Sequence, residues 1–161
     1  MKEKRLIGRR EFIGLPDFGI PAIEAKVDSG AYTSALHCSV IQEETVNGAP
    51  LLRVSVLDET HPEYSTQFHS FERFERKLIK SSNGESEERY VVTCFVRMYG
   101  RRYKTRFSLT NRENLRYPVL LGRRFLKGRF VVDVAQLHVA GMPQPPKKVK
   151  VKVKRKKRKG A

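Results

Sequence analysis

From Ile20 to Val134 the chain is a succession of short apolar runs separated by turn residues, and only one short stretch, Arg123 to Leu126, has helical character. This pattern leaves little room for anything but a β fold. Ile20 to Val27 (IPAIEAKV) partly alternates and stops on Asp28, while Ala35 to Gln42 (ALHCSVIQ) and Leu51 to Leu57 (LLRVSVL) flank EETVNGAP. The Asn47-Gly48 pair suits the positive backbone angles of a two-residue hairpin turn, so these three runs are expected to form a meander. A second hairpin is expected where Arg89 to Met98 and Arg102 to Leu109 surround YGR, with Gly100 at the turn. Arg76 to Lys80 reads as a preceding strand and Phe130 to Val134 as the last one. The expectation is an all-β protein, a small closed or partly open barrel or sandwich with one short helix.

A chain of 161 residues, 39% hydrophobic with nine Phe, can bury one sizeable core. One β domain is expected over 1–142, followed by a Pro/Lys-rich basic tail over 143–161. The N-terminus MKEKRLIGRREFIG has no apolar signal region, and no run approaches the roughly 18 apolar residues of a membrane span, so a soluble, cytoplasmic protein is expected. Cys38 and Cys94 make no disulfide framework. The formal charge of +16 is unevenly placed: ten of the 33 basic residues lie between Lys147 and Lys159, leaving 23 against 17 acids in the rest. A like-charged block of this kind solubilises, or docks RNA or an acidic partner through 147–159. Glu59 to Ser86 is the most polar part of the body and reads equally as a flap over a site or as a surface insertion.

Metal and nucleotide chemistry find no motif. His37 and Cys38 are adjacent on an expected strand and so face opposite ways, His61 and His69 lack HExxH or CxxC neighbours, and His138 stands apart. No metal and no cofactor are expected. There is no GxxxxGK[ST] loop, no GxGxxG after a strand and no GxSxG elbow. What remains is Asp28-Ser29-Gly30-Ala31 at a strand end. Taken alone, it is a common turn sequence, because Asp and Ser bond local amides and Gly tolerates unusual angles. A second feature, YPVLLGRRFL, sets Leu120 and Leu121 before Gly122 about ninety residues downstream.

The two features in this order, on a small β-rich chain, resemble the retropepsin-like aspartic proteases. The flanks IGRREFIGLPDFGIPAIEAKVDSGAYTSALH, LTNREN and LLGRRFLKGRFVVDVAQ look like a bacterial branch catalogued as ATP-dependent zinc proteases, over roughly Leu6 to Leu137. Nothing in the residues supports zinc or ATP. Ser29 stands where Thr is commoner in that branch, and Tyr32 where Arg would be expected. The resemblance implies a retropepsin-type barrel, Asp28 as the catalytic acid, and Leu120, Leu121 and Gly122 as an apolar floor beneath the loop.

Such catalysis holds a water between two carboxyl groups, one ionised and one protonated. Asp17, Asp58 and Asp133 lack a following Ser/Thr-Gly pair, so the second acid is expected from a homodimer that sets Asp28 against its own copy. Ser29, Gly30 and Ala31 would then support the loop and contact the partner, the hydroxyl bonding across the axis and Gly30 permitting close approach. His37, Asn111 and Arg112 are candidate substrate contacts, though a structural role is open to each. The substrate would be a peptide or an unusual amide; the branch's association with ATP-grasp amino-acid ligases implies glutamate-type additions. The alternative is a non-catalytic β-barrel binding module whose basic tail contacts RNA or an acidic partner.

Overall fold

A computed structural model describes residues 3–80 and 83–144. Eleven strands and one helix follow in the order β1 (Arg5–Ile7), β2 (Arg10–Leu15), β3 (Ile20–Val27), β4 (Ser34–Val46), β5 (Ala49–Val56), β6 (His69–Phe71), β7 (Glu75–Lys80), β8 (Ser86–Met98), β9 (Arg101–Thr110), β10 (Val119–Leu121), α1 (Arg123–Leu126) and β11 (Phe130–Val132). A 3-10 turn, Pro16–Phe18, links β2 to β3. The chain is mostly β with one short helix, as expected.

The main sheet runs β10-β3-β2-β8-β9-β4-β5-β6, and β10 also pairs with β4, so six of its strands return on themselves as a ring. The ring is thin between β2 and β8, where one pair, Gly14 with Arg97, carries the register. The result is a partly open barrel. Both expected hairpins form. Asn47 and Gly48 have φ of 51° and 79°, and Tyr99 and Gly100 of 55° and 68°, the left-handed pair that matches the twist of the strands they join. Alternation sets the faces: Val92, Cys94, Val96 and Met98 of β8 point into the core, where they meet Phe107, Leu109, Leu121 and Phe125. Burial of a side chain such as Phe107 contributes about 1.5–3 kcal/mol.

The expected meander of Ile20 to Val27, Ala35 to Gln42 and Leu51 to Leu57 does not form. Only β4 and β5 make a hairpin, and β3 and β4 are separated by β10, which runs parallel to β3 and antiparallel to β4. Local turn signals cannot reveal this, because the intervening strand comes from the far end of the chain. The last strand stops at Val132, since Asp133 turns the chain by accepting the Ala135 amide at 2.9 Å. Within 59–86, β6 lies against β5 and β7 against β8, with mostly exposed side chains. The strand over Arg76 to Lys80 is present as β7. The C-terminal stretch is clasped to the barrel by buried Glu11, whose carboxylate accepts the amides of Gly8, Val139 and Ala140 at 2.8–3.0 Å. The expected basic segment 147–159 lies outside the described residues. No helix among the described residues is long and apolar enough to cross a membrane.

Candidate active site

Because β10 lies between β3 and β4, the six residues joining those strands, Asp28 to Thr33, must arch over the end of β10, and the backbone there is tied down at several points. The Asp28 amide donates to the Leu121 carbonyl at 2.9 Å; the Arg123 and Arg124 amides donate to the carbonyls of Ala31 and Tyr32 at 2.7 and 3.1 Å. The Arg123 guanidinium reaches back to the carbonyls of Ser29 and Gly30 at 2.9 and 3.2 Å. Asp28 is half-buried, and its Oδ1 accepts the Gly30 amide at 3.0 Å. A Cβ on Gly30 would stand 3.2 Å from that oxygen, so the small residue leaves the carboxylate its place. Ser29 and Gly30 are exposed, Ala31 is half-buried and Tyr32 is 61% exposed.

Beneath the loop, Leu121 is fully buried and Leu120 half-buried, as adjacent strand residues on opposite faces must be. Gly122 has no space for a side chain: a Cβ would lie 2.8 Å from the Ala31 carbonyl oxygen. Its amide donates to the buried Ser34 Oγ at 3.0 Å, and the Ser34 carbonyl accepts the Ser108 hydroxyl at 3.2 Å. Ser34 and Arg123 thus hold the loop from within the chain. Neither stands out in the sequence, because Ser34 bonds a partner 88 residues away and Arg123 braces carbonyls more than ninety residues away.

His37, a candidate substrate contact or a buried structural histidine from the sequence, is fully buried. Its Nδ1 accepts the Arg112 amide at 2.7 Å, which puts the proton on Nε2, and Nε2 lies 2.5 Å from Asp58 Oδ2. Asp58 also accepts the Thr60 hydroxyl and amide at 2.5 and 2.8 Å, with His61 Nε2 at 3.7 Å. Bonding from Thr60 outweighs the opposing effect of burial and, with His37 and His61, lowers the Asp58 carboxyl to about 2. His37, Asp58 and His61 bring their ligand atoms within 4.8 Å of one another, a grouping the sequence did not suggest. It does not suit a metal: a ring whose Nδ1 accepts an amide must keep its proton on Nε2 and has no lone pair to give.

Arg112 is half-buried, and its Nε donates to the Tyr117 carbonyl at 3.1 Å. Burial, then Arg89, pull its guanidinium below the ordinary value while Asp28 pulls it up, which places Arg112 in the field of the Asp28 carboxylate. Asn111 is exposed and accepts the Glu113 amide at 2.9 Å, a turn-capping bond. The chain has four aspartates, and three are committed elsewhere. Asp17 accepts the Phe95 amide at 2.7 Å, Asp133 the Ala135 amide and the Gln136 side chain at 2.9 and 2.8 Å, and Asp58 holds His37.

Residues 6–143 match the RimB-like family, described as retropepsin-like aspartic endopeptidase RimB. The chain belongs to that family. A crystal structure of a Legionella pneumophila protein of unknown function shares the fold with a TM-score of 0.66 at 28% identity, over 86% of this chain and 99% of that one. Proteins named probable alpha-L-glutamate ligase are similar too: 35% identical over 142 residues in Shewanella pealeana, 34% in Shewanella halifaxensis and, over 137 residues, 33% in Desulfotalea psychrophila. These alignments take 82–86% of this chain, but the chain spans only about 30% of the length of the curated relatives. RimB-like membership supports a hydrolase reading of a fold whose half-buried aspartate sits on a braced loop.

Proposed function

We propose that the protein is an aspartic-type amide hydrolase that works as a homodimer, with Asp28 of each copy supplying one carboxyl group. One observation carries this reading: Asp28, half-buried and bonded to the Gly30 amide of its own loop, stands on a loop braced by β10 and α1. A dyad needs two acids, and a two-fold axis through this loop provides the second from the partner's copy. The exposed Tyr32, four residues along the same loop from Asp28, offers apolar surface for such a contact.

In the dimer one Asp28 is ionised and its twin protonated, because like charges about 3 Å apart cannot both ionise. The ionised carboxylate takes a proton from the bound water as its oxygen attacks the amide carbon, and the protonated one donates to the carbonyl oxygen. As the tetrahedral intermediate collapses, the first carboxyl gives the proton it took from water to the nitrogen, a hydroxyl proton returns to the second carboxylate, and the C–N bond breaks to release the amine and the new acid. Ser29 bonds across the axis and keeps both carboxyl groups level, while the Gly30 amide orients Oδ1.

The substrate class we put forward is an α-L-glutamyl peptide or amide. Relatives carry this module within chains named for glutamate ligation, of whose length this chain spans about 30%. Arg112, in the field of Asp28, supplies positive charge for an acidic side chain.

Asp28→Asn tests the reading. Oligo-α-L-glutamate and a glutamate-tailed peptide are incubated with each protein and the fragments weighed by mass spectrometry. The expected result is cleavage by the wild type and a loss of at least about 1000-fold in the variant, with sedimentation and melting unchanged. Undiminished cleavage by a folded Asp28→Asn protein ends the proposal.

A further inference from the structure

The body carries a second concentration of positive charge, away from the catalytic loop. A cleft of about 970 Å³ opens between β1, the β8–β9 turn, β9 and the turn after α1, and its lining includes Lys4, Arg5, Arg101, Arg102, Lys104 and Arg129 against one acid, Glu3. None of the six cations pairs with a carboxylate among the described residues; the basic side chains that do are Arg10, Arg53, Arg76, Lys77, Arg89 and Arg106. Arg5 and Arg129 are instead held on backbone carbonyls, of Tyr99 at 3.5 Å and of Lys104 at 3.4 Å, which fix the guanidinium without neutralising it. A neighbouring cleft of about 420 Å³ shares Lys104 and Arg129 and adds Arg124, along with Arg106, which pairs with the one acid there, Glu75. The charge is therefore continuous from β1 to α1.

Charge alone would suit any polyanion, but three of these guanidinium groups are also seated on aromatic rings. Arg5 lies over Tyr99 at 4.8 Å, Arg102 over Phe95 at 4.4 Å and Arg129 over Tyr103 at 5.5 Å. Each ring orders a planar cation before any ligand arrives, and Arg129 lies over Phe125 as well, at 5.5 Å. Unpaired bases stack on guanidinium planes while their phosphates meet the charge; an acidic peptide would use the charge and leave the planes idle. Along β9, Arg102 and Lys104 are two residues apart and share a face at a spacing of about 6.6 Å, so successive contacts can follow an extended strand.

We propose that this cleft binds a single strand of nucleic acid, with Arg101, Arg102 and Lys104 on its phosphates and the Arg5, Arg102 and Arg129 planes against its bases. The site is independent of Asp28. It is tested on the full chain with a fluorescein-labelled 12-nucleotide oligo(U) RNA, by anisotropy at several salt concentrations. Two triple variants are compared: R101A/R102A/K104A in the cleft, and K26A/R73A/R116A, which removes the same charge elsewhere, both keeping the basic 147–159 segment.

The expected result is at least tenfold weaker binding at 100 mM salt for the cleft variant, with less than threefold change for the control. The slope of log K against log salt should drop by about 2 in the cleft variant, since each phosphate contact to a single strand accounts for about 0.7. Equal losses in both variants mean that net charge alone is being read, and overturn the site. A dodecamer of glutamate that binds as tightly as the RNA, and is weakened equally by the cleft substitutions, assigns the surface to acidic peptides and likewise overturns it. No measurable binding of RNA by the wild type does the same.

Discussion

Protonating Asp58 would disturb three hydrogen bonds at once, two from Thr60 and one from His37. A carboxyl held at about 2 in the folded chain, against an ordinary 3.8, adds stability that is complete above the ordinary value and is lost as pH falls through it toward 2. Calorimetric melts should therefore show Asp58→Asn less stable than wild type at pH 7, by about 1–3 kcal/mol for a hydrogen-bonded charged group, with the gap narrowing as pH drops from 5 to 3. A constant gap would assign the role of Asp58 to shape alone. Ser34→Ala leaves the buried Gly122 amide without its acceptor and should cost about 1–3 kcal/mol, read as a lower urea midpoint at unchanged slope. At this scale the sequence drew attention to Asp28 by its neighbours. It did not identify Ser34, Asp58 or Arg123, whose partners become neighbours only in the folded chain.

The element that organises the site is β10, three residues that pair with β3 on one side and β4 on the other. Its apolar residues were legible as a floor; its place between two consecutive strands was not, because that pairing is non-local. Gly122, where β10 passes into α1, tests how tightly this joint is built. Gly122→Ala sets a Cβ 2.8 Å from the Ala31 oxygen and 2.8 Å from the Thr33 carbonyl carbon, both on backbone, and neither neighbour can rotate away as a side chain would. We expect a loss of about 1–3 kcal/mol in chemical denaturation. Amide exchange should also quicken at Ala31, Arg123 and Arg124, the residues nearest the strained joint, whereas an alanine accommodated with native exchange rates would show that the loop tolerates movement. Both hairpins were predicted from their glycines because the turn itself fixes φ, and a two-residue turn leaves the strands no alternative partner.

For the molecule as a whole, one Asp28 loop per chain makes concentration a variable. If Asp28 acts with its twin, specific activity should fall on dilution through the dimer dissociation constant, and an excess of Asp28→Asn chains should suppress wild-type activity by drawing it into mixed dimers. Specific activity that is constant across dilution, with a monomeric mass throughout, would exclude the shared dyad.

The order of residues determined the β class, the two glycine turns and the acid worth watching, because each is set by contacts within a few positions and by a period of two. Tertiary structure decided the rest: the ring closed through β10, the aspartates withdrawn into other bonds, the burial of His37, and the alignment of unpaired cations along one cleft. Each of those depends on residues far apart in the chain meeting in a low-dielectric or sterically crowded space, where a hydrogen bond or a missing Cβ selects one arrangement from many that the local pattern allows.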